Sequence, residues 1–382
     1  VADQEEVGQR ILQKNIFVVA KTAMDKIITE RTLAGYRDYK TNVAFVDGIV
    51  EAAKQSIDNG VKKVEESFDN MKFDVVIGNP PYQEETAKKE TDNGQKAVTN
   101  VFQHFQLIAN QLATDYVTLI YPGGRWIHQS GKGMKNFGKN QINDSKLAKV
   151  IYFENASEVF KGVAIPDGIS IVLKDQHKTT NTFMYVYKNG AVEQSVQIQA
   201  PGDKILPLNP SDQQIATKID AFVAKYNLNF MAESVYSRKL FAIESDFVEK
   251  NPNKVRALKN RGDFDPKTEI KLLTNDKAGK MGRAKWFAAQ KDVITQNQEL
   301  VYKYQVAVSS ANAGGQKRDN QIAIIDNYSA FGRSRLGLKS FETLKEAENF
   351  LKYAKSNLVR FAFLLTDESL SSLGKELPDV CE

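Results

Sequence analysis

A short β-branched segment that stops at glycine and proline constrains this chain more than any other feature. Residues 73–77 read FDVVI and residues 78–82 read GNPPY. Apolar runs of this length that end at Gly or Pro are typical of buried parallel strands leading into functional loops. Similar runs stand at residues 16–19 and 43–46, and segments of helical periodicity lie between them. The pattern therefore predicts an α/β fold whose ligands bind at the carboxyl ends of the strands.

The same periodicity divides the rest of the chain. Three further strands, at residues 116–121, 150–153 and 169–173, bring the strand candidates to six and indicate a doubly wound sheet. The polar residues 174–182 mark a predicted domain boundary, after which strands dominate. The remaining predicted elements are a helix over residues 98–113, strands over 182–187, 299–308 and 321–325, and helices over 211–226, with Ser211 as the N-cap, and over 341–365.

Composition excludes several classes of protein. No run approaches the roughly 20 apolar residues that a membrane span needs. The acidic first residues do not resemble a secretory signal, so we expect a cytoplasmic protein. A single cysteine, Cys381, cannot form an internal disulfide or a zinc cluster. Lysine and arginine outnumber aspartate and glutamate by 52 to 47, and a net charge of +5 permits nucleic-acid binding without establishing it.

The loop after the third strand can bind an amino group. The side-chain oxygen of Asn79 and the backbone carbonyl of Pro80 are two hydrogen-bond acceptors on adjacent residues, and Pro81 restricts the backbone that directs the carbonyl. Acceptors that hold both hydrogens of a delocalised amine favour a pyramidal, more nucleophilic nitrogen without an ionisable base. Tyr82 adds an aromatic face on which a base can stack. Asn and Pro are also ordinary turn formers, so the tetrapeptide alone would be weak evidence.

Together with the strand before it, the Asn-Pro-Pro-Tyr loop resembles the catalytic motif of adenine-N6 DNA methyltransferases, and residues 73–78 are typical of the Eco57I type of restriction-modification methylase. This resemblance implies that S-adenosylmethionine is the methyl donor and that the target adenine is rotated out of the DNA duplex. It implies catalytic roles for Asn79, Pro80, Pro81 and Tyr82. Residues 156–173 resemble the segment in which the family places a second aromatic face, which assigns that role to Phe160.

The cofactor motifs of the family are less complete. Asn79 and Asp47, which follows the strand at residues 43–46, match cofactor-contacting positions. The Gly-rich loop of the family is absent, and Ala20 and Lys21 stand where an acidic residue is expected. We therefore expect the chain to be a fragment of a larger restriction-modification enzyme.

Residues 305–365 resemble the target-recognition region of the same methylases, which implies double-stranded DNA as the partner. The candidate phosphate and base contacts are Lys280, Arg283, Lys285, Asn312, Gln316, Arg333 and Arg335. The predicted fold class is α/β: a Rossmann-like methyltransferase sheet, incomplete at its N-terminus, over residues 1–178, followed by an α+β target-recognition domain over residues 179–382.

Two alternatives remain open. The chain could be a DNA-binding specificity fragment without activity of its own. It could also be a protein glutamine methyltransferase, because a side-chain amide poses the same chemical difficulty as an aromatic amine. Such enzymes do not need some 200 residues of recognition domain after the catalytic sheet, and this size difference favours DNA.

Overall fold

A computed structural model divides the chain into two compact units. The first consists of Val1–Trp126 and Lys132–Asp203, and the second of Ile127–Gly131 and Lys204–Glu382. The structure describes residues 4–35, 37–90, 96–129, 133–202, 206–279, 281–309, 322–359, 361 and 378–380. No helix in these ranges is both long and apolar enough to span a membrane.

The first unit alternates helices and strands. Its elements are α1 (Gln4–Lys14), β1 (Phe17–Ala20), α2 (Ala23–Ala34), β2 (Asn42–Phe45), α3 (Ile49–Gln55), α4 (Ile57–Glu66), β3 (Phe73–Gly78), β4 (Gln83–Glu90), β5 (Lys96–Asn100), α5 (Phe102–Leu112), β6 (Ala113–Pro122), α6 (Gly124–Ile127, whose last residue falls in the second unit), α7 (Met134–Ile142), β7 (Leu147–Phe153), β8 (Ile169–Asp175), β9 (Thr182–Asn189) and β10 (Val192–Gln199). The mixed α/β character predicted from the sequence is confirmed.

The main sheet of this unit has six strands in the order β10-β9-β7-β8-β6-β3. β3 runs parallel to β6, and β9 runs parallel to β7, whereas β8 is antiparallel to both of its neighbours. The sheet is therefore mixed, and the expectation of one sheet containing all six early strand candidates is wrong. β1 and β2 instead form a separate parallel pair.

The boundary predicted between residues 178 and 179 also needs correction. β9 and β10 form a hairpin in which Asn189 is opposite Val192, and β9 pairs with β7 inside the first sheet. The first unit therefore continues to Asp203. The polar stretch at residues 174–182 is a connection between two strands of one sheet.

The helices α3, α4 and α5 cover one face of β3. Val61, Val64, Ile108 and Leu112 are buried there, and the rings of Phe17 and Phe73, on β1 and β3, lie 5.4 Å apart between centroids. The core continues through β6, on which alternate residues are buried. Hydrophobic burial on one helical stripe and on one strand face thus joins α5 to the sheet.

Apolar side chains remain exposed on two elements of the first unit. β3 lies at the end of the strand order, and the exposed fractions of Val75 and Ile77 are 50% and 72%. Helix α2 buries none of its residues, and Met24, Ile27 and Ile28 are all more than half exposed. A strand edge with apolar residues is normally covered or protected by charge, so this surface is unusual for a folded unit.

The second unit combines two small sheets with helices. Its elements are α8 (Gln213–Tyr226), α9 (Phe247–Lys250), β11 (Val255–Ala257), β12 (Glu269–Asn275), β13 (Ala284–Gln290), β14 (Tyr304–Ser309), β15 (Ala323–Ile325), β16 (Ser329–Phe331), β17 (Arg335–Phe341) and α10 (Leu344–Ala354). One sheet has the order β11-β13-β12-β16 and the other β15-β14-β17. Each sheet has a buried apolar cluster, and α10 packs on the second one.

Three boundaries predicted from the sequence in this unit were wrong. Ser211 does not cap a helix, because its amide donates to the Asn209 side chain in a preceding 3-10 turn. The predicted strand over residues 299–308 begins as another 3-10 turn and becomes extended only at Tyr304. The last helix starts at Leu344, since Thr343 and Glu346 form a capping box there.

Candidate functional site

Three loops of the first unit begin at the same edge of the six-stranded sheet. Because β3, β6 and β7 point in one direction, their carboxyl ends meet at this edge. The loops are residues 79–82 after β3, residues 123–124 after β6 and residues 154–168 after β7. This is the position that the sequence predicted for a ligand site.

The loop after β3 contains one exposed residue followed by three half-buried ones. Asn79 is exposed, so its amide is accessible to a ligand, whereas Pro80, Pro81 and Tyr82 are half-buried. The backbone carbonyl of Tyr82 accepts a hydrogen bond from the amide of Val101, with an N···O distance of 3.0 Å. Burial raises the pKa of the Tyr82 phenol, which is therefore neutral.

The β4–β5 hairpin and α3 hold the residues that follow the loop. The Gln83 side-chain nitrogen donates to the Asn100 side-chain oxygen over 3.1 Å. Lys54, in the last turn of α3, forms an ion pair with Glu84. These contacts hold the first residues of β4, which directly follow the Asn79–Tyr82 loop, to the end of β5 and to α3.

Two residues that sequence reasoning missed lie on the first turn of α5, next to this loop. Three of the buried side-chain atoms that have no hydrogen-bond partner among the described residues belong to this junction: Tyr82 Oη, Gln103 Oε1 and His104 Nδ1. Burial, with a smaller contribution from the positive charge of Lys54, lowers the pKa of His104. The sequence contains no signal for these residues, because the burial of an individual polar atom depends on tertiary packing.

Phe160 lies in the loop after β7. It is half-buried, and its amide donates to the Ala156 carbonyl over 2.9 Å. The end of this loop is fixed by Asp167, whose carboxylate pairs with Arg125 at 2.9 Å. β7 and β3 are three strand spacings apart, or about 14 Å. Phe160, after β7, and Tyr82, after β3, therefore lie at the same end of the sheet. Two strands, β8 and β6, separate β7 from β3.

Asp47 lies two residues beyond β2, and its side chain is exposed. Its backbone carbonyl accepts a hydrogen bond of 3.0 Å from Lys63 Nζ, and Gly48 adopts a left-handed conformation before α3. The end of β1 offers no equivalent acid: Ala20 is buried, Lys21 is exposed, and Asp25 caps α2 with Thr22. Asp47 and Asn79 thus both present exposed polar side chains, whereas no described carboxylate directly follows β1.

Two of the candidate DNA contacts in the second unit share one acidic partner. Lys285 Nζ lies 2.6 Å from the Asp276 carboxylate, and the Arg283 amide donates to the same carboxylate over 2.9 Å. The hydrogen bond from Lys285, followed by that from the Arg283 amide, lowers the pKa of Asp276 to about 2. Asp276 therefore stays ionised and offsets the charge of Lys285. The sequence could not reveal this neutralisation.

Arg333 lies at the same end of the four-stranded sheet as Arg283 and Lys285, because β16 is parallel to β12. Its guanidinium is 3.3 Å from the Glu244 carboxylate. Arg335 belongs to the other sheet, opposite Ser309, and burial lowers its pKa. Lys280, Asn312 and Gln316 lie outside the described residues. The structure thus brings Arg283, Lys285 and Arg333 to one sheet edge, each with an acidic side chain nearby.

Comparison with known proteins bears on the first unit directly. Residues 14–160 match the family model of the Eco57I restriction-modification methylase. The resemblance predicted from the Asn-Pro-Pro-Tyr loop is thereby confirmed for this segment. An uncharacterized adenine-specific methylase of Mycoplasma pneumoniae (strain ATCC 29342 / M129 / Subtype 1) is 32% identical over 103 residues, which are 27% of this chain and 24% of that protein.

Two solved structures are similar at 10% identity. The nuclease-deletion mutant of the Type ISP restriction-modification enzyme LlaGI, in complex with a DNA substrate mimic, has a TM-score of 0.51 and matches 96% of this chain and 40% of its own. The ATP-dependent Type ISP restriction-modification enzyme LlaBIII, bound to DNA, has a TM-score of 0.43 over 93% of this chain and 32% of its own. The likeness to LlaGI concerns the fold. The chain spans about a quarter of the methylase relative and less than half of either enzyme.

Proposed function

We propose that this chain is the target-base and DNA-recognition part of a methyltransferase that methylates adenine at N6 in duplex DNA, within a restriction-modification system. The observation that carries the proposal is an exposed Asn79 in an Asn-Pro-Pro-Tyr loop at the carboxyl end of β3, inside the segment that matches the methylase family model. In this proposal the six-stranded sheet is part of a Rossmann-like methyltransferase core. The second unit is the target-recognition domain.

The loop residues act on the amine of a flipped adenine. The Asn79 side-chain oxygen and the Pro80 carbonyl accept its two hydrogens, which draws the nitrogen lone pair out of the ring and towards the methyl donor. Tyr82 stacks on one face of the base, and Phe160 on the other. Each stacking contact contributes about 1–3 kcal/mol in related single-strand complexes. Pro80 and Pro81 limit the backbone freedom that would otherwise misdirect the carbonyl.

S-adenosylmethionine, when bound, would supply an electrophilic methyl group on a sulfonium, with a thioether as the leaving group. Asp47 and Asn79 are the described residues that we assign to cofactor contacts. The surplus proton on N6 passes to solvent, so that no buried general base is required. The exposure of Asn79 and Asp47 supports this assignment.

Arg283, Lys285 and Arg333 would contact DNA from the second unit. The present ion pairs of Lys285 with Asp276 and of Arg333 with Glu244 are partly exposed, and such pairs contribute little to stability. DNA phosphates can therefore compete for these cations at small cost. A second folded unit after the catalytic sheet also favours a macromolecular substrate over a short peptide.

The proposal is tested by the substitution Asn79→Ala in the full-length natural protein that carries this sequence. Transfer of labelled methyl groups to unmethylated plasmid DNA, with N6-methyladenine identified after hydrolysis, should fall by about 10²–10³-fold, as when one stabilising group of a polar transition-state site is removed. Affinity for duplex DNA should remain.

Asn59→Ala is the matched control, because Asn59 is exposed on α4. Retention of methyl transfer by Asn79→Ala would remove Asn79 from its role. Transfer to a glutamine-containing release-factor peptide, with none to DNA, would replace the proposed function by the glutamine alternative.

A further inference from the structure

The first turn of α5 is held against the proposed catalytic loop by backbone and side-chain contacts. The Val101 amide bonds to the Tyr82 carbonyl at 3.0 Å, and Val101 is the residue immediately before α5. The Gln103 side-chain nitrogen donates to the Asn100 carbonyl over 2.9 Å. These bonds bring Gln103 and His104 close to the loop that we assign to the target base.

Buried polar atoms without partners are concentrated at this junction. Of seven such side-chain atoms in the described part of the chain, three belong to Tyr82, Gln103 and His104. Each buried group left unsatisfied is costly for a protein, so that native structures contain few of them. Three such atoms on residues that adjoin an exposed loop point to a ligand that completes their hydrogen bonds.

The chemistry of the three atoms selects the kind of ligand. Burial and the nearby Lys54 lower the pKa of His104, so its imidazole is neutral at physiological pH. Lys54 is itself paired with Glu84. A phenol, a neutral imidazole and an amide oxygen offer donors and acceptors but no net charge, which disfavours phosphate or carboxylate. The edges of adenine present ring-nitrogen acceptors and an amino donor, which match such a set.

We propose that Gln103 and His104 bind the edge of an adenine ring by hydrogen bonds, beside Tyr82. This inference rests on the proposed function. The adenine ring has two possible sources in that reaction: the target nucleotide and the adenosyl group of the methyl donor. Both present the same chemistry to these residues.

Ligand binding by the 382-residue chain is measured by nuclear magnetic resonance of the nitrogen atoms of its histidine side chains. The chain contains three histidines, so that the nitrogen resonances of His104 can be assigned with one substitution for each histidine. The two probes are 2′-deoxyadenosine monophosphate and S-adenosylhomocysteine, which represent the two sources. We expect one of them to shift the His104 Nδ1 resonance, and His104→Ala and Gln103→Ala each to weaken its binding about tenfold.

Two further variants separate ligand contact from folding. His177→Ala is the matched control, because His177 is mostly exposed and pairs with Asp115 at 2.6 Å. His104→Asn retains a hydrogen-bonding group near the position of Nδ1, and we expect it to recover part of the lost affinity. If ligand addition shifts the His177 resonance little and the variants melt at the same temperature as the unsubstituted chain, the effects of the substitutions are local to Gln103 and His104.

Unchanged affinity for both probes in His104→Ala and Gln103→Ala would overturn the inference, as would failure of both probes to perturb His104 in the unsubstituted chain at millimolar concentration. Neither result would contradict the proposed function, which is tested separately by methyl transfer and the Asn79→Ala substitution. Conversely, loss of the methyltransferase assignment with retained adenine binding would leave the Gln103 and His104 site as an adenine-binding site of another kind.

Discussion

The amide of Gly124 donates a hydrogen bond to the carbonyl of Asp167 over 2.6 Å, which joins the loop after β6 to the end of the loop that contains Phe160. A Cβ atom on Gly124 would lie only 2.9 Å from the same carbonyl oxygen. The next residue in the Phe160 loop, Gly168, is also constrained: it has φ +60°, and a Cβ there would be 2.4 Å from the Phe153 carbonyl. Close backbone approach therefore fixes this loop.

Gly168→Ala should destabilise the protein more than Gly162→Ala. Gly162 also has a positive φ, of 74°, but open space surrounds the position of its Cβ. Its substitution should cost about 1–2 kcal/mol of unfolding free energy, the penalty for a left-handed alanine. Gly168→Ala adds a backbone clash, and we expect a loss of roughly 3 kcal/mol or more. Urea unfolding measures both; equal losses would contradict the close approach.

A buried histidine should make the stability depend on pH. Burial lowers the pKa of His128 from its ordinary value of 6.5 to about 4. Below pH 6.5 the unfolded chain binds a proton that the folded chain does not bind until near pH 4. The free energy of unfolding therefore falls as the pH is lowered through this window, by about 3 kcal/mol from this residue.

The variant His128→Gln lacks the titrating group, so its stability should decline less between pH 6.5 and 4. Unfolding by denaturant at several pH values compares the two proteins. His177→Gln is the control, because His177 is mostly exposed. Parallel pH profiles for the unsubstituted protein and His128→Gln would show that His128 is not responsible.

Removal of a counter-charge should strengthen DNA binding. Asp276→Asn frees Lys285 from its 2.6 Å ion pair, and we expect a several-fold higher affinity at low salt. If Lys285 then contacts one additional phosphate, the dependence of log affinity on log salt becomes steeper by about 0.9. Lys285→Glu should have the opposite effect. Fluorescence anisotropy of a labelled duplex over a salt series provides the measurement.

Asp246→Asn is the matched control for this series, because Asp246 forms a similar 2.6 Å pair with Lys250 outside the proposed contact residues. Its salt slope should equal that of the unsubstituted protein. If Asp276→Asn and Asp246→Asn behave alike, the surface around Lys285 is not the DNA contact.

The exposed apolar face of α2 should bind hydrophobic dyes. Ile28 is 55% exposed, and α2 buries none of its residues. Ile28→Lys should lower the fluorescence of bound anilinonaphthalene sulfonate and change the unfolding free energy by less than about 0.5 kcal/mol, as for other surface positions. Val64→Lys, at a buried position of α4, should instead destabilise the unit strongly. If Ile28→Lys lowered the unfolding free energy as much as Val64→Lys does, the apolar face of α2 would be buried in solution.

The sequence predicted individual strands better than their arrangement. β1, β2, β3, β6, β7 and β8 appear as β-branched or apolar runs, because strand formation on a buried sheet has a local signature. Which strands pair is a non-local property. The separation of the β1–β2 pair from the main sheet, and the pairing of β9 with β7, could not be read from periodicity.

For the candidate site, too, local patterns were predictable and tertiary contacts were not. Asn79 and Phe160 could be placed at the carboxyl ends of strands, because motif and strand are adjacent in the sequence. The ion pair of Arg333 joins it to Glu244, which is distant in sequence. The unpartnered atoms of Gln103 and His104 likewise arise only when α5 packs beside the loop. Tertiary contacts of this kind have no counterpart in a local pattern.

Two buried hydrogen bonds at one tyrosine fix the orientation of α5. Gln106, fully buried on the second turn, accepts from the Tyr121 hydroxyl over 2.8 Å, and Gln141 donates to the same hydroxyl over 2.9 Å. Outward movement of the helix would break these buried hydrogen bonds, which is costly in the protein interior. An adenine enlarged at the edge that faces Gln103 and His104 would therefore be rejected sterically rather than accommodated by movement of the helix.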